Sequence, residues 1–208
     1  MIRRQNMANE KPKICLGLLT NRGFKAQTTI SLLKMVNETP EFEWFILFSI
    51  NGYTIAENRN WLAAQSVKNG CDFLLMIDDD MSFPPSTAKM LLGRDKDIIG
   101  VPYHMRVFPK QIYLLREEDA PPLSKTEPNE VLALGTGICL IRTDVFRKVP
   151  QPWFDFDKHE NGMTKMGEDY WFCQKAYANG YKIWIEPEES FKDKEGKDLL
   201  GHIGDFCY

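Results

Sequence analysis

Long apolar runs are missing from this 208-residue chain: the longest uninterrupted ones, 44–48 and 73–77, are a quarter of what a membrane-spanning helix requires. The first thirteen residues are polar and basic with no apolar stretch among them, so no secretory leader is read there. An excess of positive charge is also lacking. With 26 Lys and Arg against 29 Asp and Glu the formal charge is −3, which argues against nucleic acid as the main partner. Cysteine is scarce and unpaired in pattern: Cys15, Cys71, Cys139, Cys173 and Cys207 are odd in number, widely spread and never arranged as Cys-x-x-Cys. That excludes a disulfide or zinc framework and is expected to mean reduced, buried thiols in a cytoplasmic protein.

What is present is ordinary for one globular domain, 43% apolar and 26% charged. Apolar runs alternate with helical patterns in the first half, the signature of parallel βαβ units. Strands are expected at 14–19, 44–50 (buried) and 73–77 (buried on both faces). Helices are expected at 28–36, with Ile30, Leu33 and Val36 facing inward, and at 56–68, stopped by Asn69-Gly70. The second half is less regular. Short strands are expected at 98–101, 111–116, 131–134, 138–141 and 181–185, and a proline-bearing exposed loop at 119–129. A helix over 168–179 should bury Phe172, Cys173, Ala176 and Tyr177 before Gly180 stops it.

The segment with most chemical content is Asp78-Asp79-Asp80, directly after a buried strand. Adjacent carboxylates repel one another and lose solvation, and a divalent cation relieves both costs. In extended chain Asp78 and Asp80 face one way and Asp79 the other. Ligands of open α/β sheets bind beyond the carboxyl ends of strands, where this cluster falls, and all-oxygen ligation suits Mg2+ or Mn2+ better than zinc. The plainer alternative is an acidic turn leading to a helix near Ser86.

An apolar strand ending in Asp-x-Asp resembles the DXD motif of nucleotide-sugar-dependent glycosyltransferases of the GT-A fold, the family 2-like group in particular. Other stretches carry the same resemblance. Thr20-Asn21-Arg22 after the first strand is similar to the family's base- and ribose-binding stretch, and Glu57-Asn58-Arg59-Asn60 to a helix start whose arginine approaches the donor. The departure is Glu57-Asn58, where the family has small residues. Glu168-Asp169 after Gly167 resembles the Glu-Asp motif of inverting members, and Leu200-Gly201-His202-Ile203-Gly204 the tail that completes the metal site. Gly135-Thr136-Gly137 is similar to a turn bordering the donor sugar, with a plain hairpin as the alternative.

The resemblance implies a single GT-A domain, a mostly parallel central sheet flanked by helices. Residues 14–101 would form the nucleotide-sugar-binding half, and 102–208 the acceptor-binding and catalytic half. It implies Mn2+ or Mg2+ held by Asp78, Asp80 and His202. Donor contacts, with a UDP-sugar as the commonest choice, would come from Thr20, Asn21, Arg22, Arg59, Asn60, Asp79, Gly135 and Gly137. Asp169 would be the base that activates a hydroxyl of an acceptor glycan, supported by Glu168. Tyr103, Trp153 and Phe154 are candidate sugar platforms, though aromatic residues more often fill cores. Short members without an anchor occur as modules of longer bacterial and viral enzymes, so further domains, and a host cytoplasm, are among its implications. Two rivals remain. Asp78-Asp79-Asp80-Met81-Ser82 is one conservative change from the nucleophile motif of haloacid-dehalogenase-like phosphatases, and a non-catalytic, metal-dependent glycan-binding module would need the same acids.

Overall fold

A computed structural model of the protein describes residues 11–20, 23–50, 54–104, 112 and 114–202. The first half runs β1 (Lys13–Thr20), α1 (Ala26–Glu38), β2 (Glu43–Ile50), α2 (Ile55–Lys68), β3 (Phe73–Asp78), β4 (Met81–Ser82), α3 (Thr87–Gly93) and β5 (Ile98–Gly100). Short strands follow: β6 (Leu114–Leu115), β7 (Asn129–Val131), β8 (Ala133–Leu134) and β9 (Ile138–Arg142), then α4 (Thr143–Lys148). The chain continues through β10 (Asp157–Lys158), β11 (Thr164–Met166), α5 (Glu168–Ala178), β12 (Ile183–Ile185), a 3-10 turn (Glu188–Phe191) and β13 (Gly201–His202).

Seven strands form one sheet in the order β2-β1-β3-β9-β5-β12-β7. β2, β1, β3, β5 and β12 run one way, while β9, paired antiparallel to β3 and β5, and β7, antiparallel to β12, run the other. Inserting β9 between β3 and β5 places a strand of the second half inside the first, so both halves share one sheet. The alternation of side chains sorts the core into two layers. Leu74 and Met76 of β3 point toward α2, α4 and α5; Phe73, Leu75 and Ile77 point toward α1 and α3. α2 approaches β1 closely at Gly17, where a Cβ would lie 2.9 Å from Leu74 Cδ1 and 3.1 Å from Leu62 Cδ1. Among the described residues no helix is long and apolar enough to cross a membrane.

Several expected elements need correction. α1 buries Thr28, Ser31, Leu32 and Met35, leaving Ile30 51% and Leu33 67% exposed. Its rotation is set by its first turn, because the Asp79 carbonyl accepts hydrogen bonds from Lys25 N and Thr28 Oγ1, both at 3.0 Å. β2 is an edge strand and only partly buried, with Ile46 and Phe48 in solvent. Tyr177 of α5 is exposed, one position off the Phe172, Cys173 and Ala176 face. Of the strand expected at 111–116, the described residues show β6 and a bridge between Ile112 and His104, and Gln111 and Tyr113 lie outside the described residues. Cys15, Cys71, Cys139 and Cys173 are buried free thiols as expected, and Cys207 lies outside the described residues.

Candidate functional site

The acidic turn sits at the carboxyl ends of β1 and β3, and its residues find different partners. Asp78 N donates to the Gly137 carbonyl at 2.9 Å, extending the β3–β9 ladder by one bond. The Asp78 carboxylate accepts from Arg59 Nη2 at 3.2 Å. Asp79 points the other way, as strand alternation requires, and accepts a 2.6 Å hydrogen bond from the Thr20 hydroxyl, which itself accepts from Gly23 N at 2.8 Å. Thr20 and Asp79 thereby close the end of β1 onto the acidic turn. Asp80 is half-buried at the start of the β4–β13 pair, where His202 stands opposite Met81 in the backbone register. The tail is thus brought within one residue of Asp80. The turn does not run straight into a helix: β4 intervenes, and Ser86 at the start of α3 makes no side-chain cap.

Arg59 is the largest surprise. The resemblance placed it at a helix start, approaching the donor; it is the fifth residue of α2 and 2% exposed. The Glu57 that departs from the family pattern explains the register. Thr54 and Glu57 form a reciprocal capping box (Thr54 N to Glu57 Oε2, 2.8 Å; Glu57 N to Thr54 Oγ1, 3.2 Å), which starts the helix at Ile55 and sets Arg59 past its first turn. The guanidinium is engaged by protein groups: Nη2 with Asp78, Nε with Glu168 Oε1 at 3.2 Å, and Nη1 with the Thr136 carbonyl at 3.4 Å. Burial disfavours its charged form, yet the carboxylates of Asp78, Glu168 and Asp169 outweigh that and raise its pKa above the ordinary arginine value.

Glu168 and Asp169 open α5 behind the Gly167 cap and are 8% and 6% exposed. The helix dipole favours two acids there, but it does not require them to be buried. The burial of Glu168 is explained by Arg59, which joins it to the acidic turn, while Asp169 Oδ1 accepts from Tyr170 N at 2.8 Å. The turn 135–137 is not a hairpin, because β8 pairs with β6 while β9 pairs with β3 and β5. Gly137 N donates to the Tyr103 hydroxyl at 3.2 Å, and a Cβ on Gly137 would lie 3.1 Å from the Tyr103 ring. Burial, together with the Asp78 and Asp169 charges, pushes the Tyr103 phenol well above its usual pKa and keeps it neutral. Thr136 is fully buried, and its hydroxyl has no hydrogen-bond partner among the described residues.

Two further sets of candidate residues are held by the scaffold. Asn60 does not turn toward the site: its Oδ1 accepts from Trp153 N (2.9 Å) and Phe154 N (3.1 Å), and its Nδ2 donates to the Phe154 carbonyl at 2.7 Å. It anchors the 152–154 segment. Tyr103, Trp153 and Phe154 are buried and offer no sugar platform; Phe154 stacks on Phe172 with centroids 4.6 Å apart, and Trp153 meets Phe146 edge-on. Asn21 and Arg22 lie outside the described residues, and His202 is described only through its backbone. Among the described residues no group of three His, Cys, Asp or Glu side chains that could hold a metal ion is present. Sequence reasoning missed Tyr103 as a hydroxyl partner of the turn and Thr136 as an orphaned hydroxyl. The only local signal for the latter was its position between two glycines.

Neither a protein-family model nor a curated protein sequence matches the chain. Solved structures do resemble it. The crystal structure of A197 from STIV superposes with a TM-score of 0.55 at 13% identity, over 85% of this chain and 82% of that one. S. aureus TarS 1-349 in complex with UDP-GlcNAc gives 0.50 at 13% identity over 92% of this chain, and with UDP 0.50 at 14% over 93%. The chain spans 58% of the TarS fragment in the first complex and 62% in the second. At such identities the likeness is one of fold. Together with the mixed, mostly parallel sheet it establishes a GT-A-type fold.

Proposed function

We propose that the protein transfers a sugar from a nucleoside-diphosphate sugar, a UDP-sugar in first place, to a hydroxyl of an acceptor glycan. The observation that carries this reading is the meeting of the acidic turn and the α5 carboxylates on one buried arginine, at the carboxyl edge of a GT-A sheet. The complex of similarly folded TarS with UDP-GlcNAc supports the choice of donor. Thr20, Asp79 and the glycines Gly135 and Gly137 of the 135–137 turn are the groups proposed to border the donor. Asn21 and Arg22 follow directly after Thr20 and are proposed to bind the nucleotide.

Asp169 removes the proton from the acceptor hydroxyl, whose oxygen then bonds the anomeric carbon as the bond to the diphosphate oxygen breaks. The proton ends on the Asp169 carboxylate, the electron pair leaves with the nucleoside diphosphate, and the anomeric centre inverts. Glu168 supports Asp169. Asp78, Asp80 and His202 would hold a Mn2+ or Mg2+ ion, a reading supported by the chemistry of the donor set and by the pairing of His202 with Met81, the residue after Asp80. Such an ion, when bound, would neutralise charge on the leaving diphosphate.

The test is release of nucleoside diphosphate from UDP-, GDP- and dTDP-sugars, with and without Mn2+, beside phosphate release from simple phosphomonoesters. Nucleoside diphosphate, lost in Asp169→Asn while donor binding persists, is the expected result. Phosphate as the only product would point to a phosphatase, donor binding without turnover to a glycan-binding module, and neither binding nor turnover would end the proposal.

A further inference from the structure

Arg59 brings together parts of the chain that have no local relation. It is carried by α2, yet it reaches Asp78 at the end of β3, 19 residues on, the Thr136 carbonyl, 77 residues on, and Glu168 at the start of α5, 109 residues on. All of these contacts are made by a side chain that is 2% exposed. Removing this buried cation would leave the carboxylates it holds buried without their counter-charge, which is strongly destabilising. The site also carries more negative than positive charge. Asp78, Glu168 and Asp169, three acidic side chains, all act on the one guanidinium.

We propose that Arg59 is a positioning residue: it ties the acidic turn to the first turn of α5 and fixes the distance between the donor-side carboxylate Asp78 and the base-side pair Glu168 and Asp169. This rests on the glycosyltransferase reading above and replaces the expectation that Arg59 grips donor phosphates. Its planar fork is the reason for arginine. Nε and Nη2 address two carboxylates at 3.2 Å each while Nη1 meets a carbonyl, a geometry a lysine ammonium on a flexible stem cannot reproduce. The tie also explains why Glu168 is buried although the reaction assigns its proton to Asp169.

The experiment compares Arg59→Lys, Arg59→Met, Glu168→Gln and the Arg59→Met/Glu168→Gln double variant. Turnover is read as kcat and donor KM, UDP binding by calorimetry, and stability by thermal unfolding without ligands. Misplacement of reacting groups by about 1 Å costs on the order of a hundredfold in rate, so Arg59→Met should lose about that in kcat and Arg59→Lys about tenfold. Donor KM and the UDP Kd should stay within about threefold, because no group proposed to meet the donor is itself substituted. Neutralising Glu168 in the Arg59→Met background should recover part of the lost melting temperature, since the unpaired buried carboxylate is then gone.

A tenfold or larger rise in donor KM or UDP Kd with kcat retained would make Arg59 a donor ligand and overturn the proposal. So would a double variant no more stable than Arg59→Met. If Arg59→Met does not fold, Arg59→Lys carries the kinetic comparison, and unchanged kcat in it also overturns the proposal. Absence of wild-type turnover on any donor would remove the transferase reading, and with it the positioning role; the unfolding data would then still decide whether Arg59 ties the carboxylates.

Discussion

Asn60 offers a sharp measurement, because its sequence context points to the donor and its contacts point to the scaffold. Replacing Asn60 by Ala deletes three hydrogen bonds to the backbone of Trp153 and Phe154, two accepted and one donated, at 2.7–3.1 Å. Each contributes about 1 kcal/mol net, and the buried backbone groups left behind are poorly placed to recruit water. The expected loss is about 3 kcal/mol. With a urea m-value of about 2 kcal/mol/M this moves the unfolding midpoint down by about 1.5 M. In a thermal scan it corresponds to about 6–12 °C for a domain of this size. The assay is urea unfolding followed by tryptophan fluorescence, in parallel with UDP-sugar binding to the folded variant. Trp153 meets Phe146 edge-on inside the perturbed region, so the fluorescence change should report on it directly. A midpoint shift below about 0.3 M, or a tenfold loss of donor affinity at unchanged stability, would refute the scaffold assignment.

Other perturbations follow from the same contacts. Gly137→Ala forces a Cβ to about 3.1–3.2 Å from the Tyr103 ring and hydroxyl, and overpacking a buried ring should cost about 1–3 kcal/mol in urea unfolding. Thr20→Val removes the hydroxyl shared by Asp79 and Gly23 N; about 2 kcal/mol should be lost, most of it restored by Thr20→Ser. The corrected face of α1 predicts that Leu33→Gln is neutral within about 0.5 kcal/mol, whereas Met35→Ala costs about 2–5 kcal/mol. The Cys173 thiol is pushed up to about 12 by burial, helped by the Asp169 charge, so at pH 8 it should resist iodoacetamide until the protein is unfolded, as judged by mass spectrometry.

Features that depend on near neighbours in the chain were legible in the sequence. The alternation of apolar runs and helical patterns is a local periodicity, and it sufficed for β1, β3, α2 and α5. Strand alternation sufficed to send Asp79 away from Asp78, and the motifs sufficed to single out 78–80 and 168–169. Periodicity alone was less reliable for amphipathic rotation. Ile30 and Leu33 are apolar and correctly spaced, yet the bonds from Lys25 N and Thr28 Oγ1 to the Asp79 carbonyl turn α1 so that Leu32 and Met35 face the core.

What tertiary structure alone decided is which group each polar side chain meets. Arg59 and Asn60 are adjacent in sequence and have similar surroundings there, but the first reaches Glu168 across 109 positions and the second Phe154 across 94. Those partners are set by the insertion of β9 between β3 and β5 and by the packing of α4 and α5 on the same sheet face as α2, neither of which leaves a pattern near residue 59 or 60. The same holds for β2, whose apolar composition reads as buried although its place at the sheet edge exposes half of it. The sequence by itself determined the main elements of the first half and α5, and singled out the acids at 78–80 and 168–169 as candidates. Only the fold decided that one buried arginine would join those acids, because a hydrogen-bond partner is fixed by distance in space and not by distance along the chain.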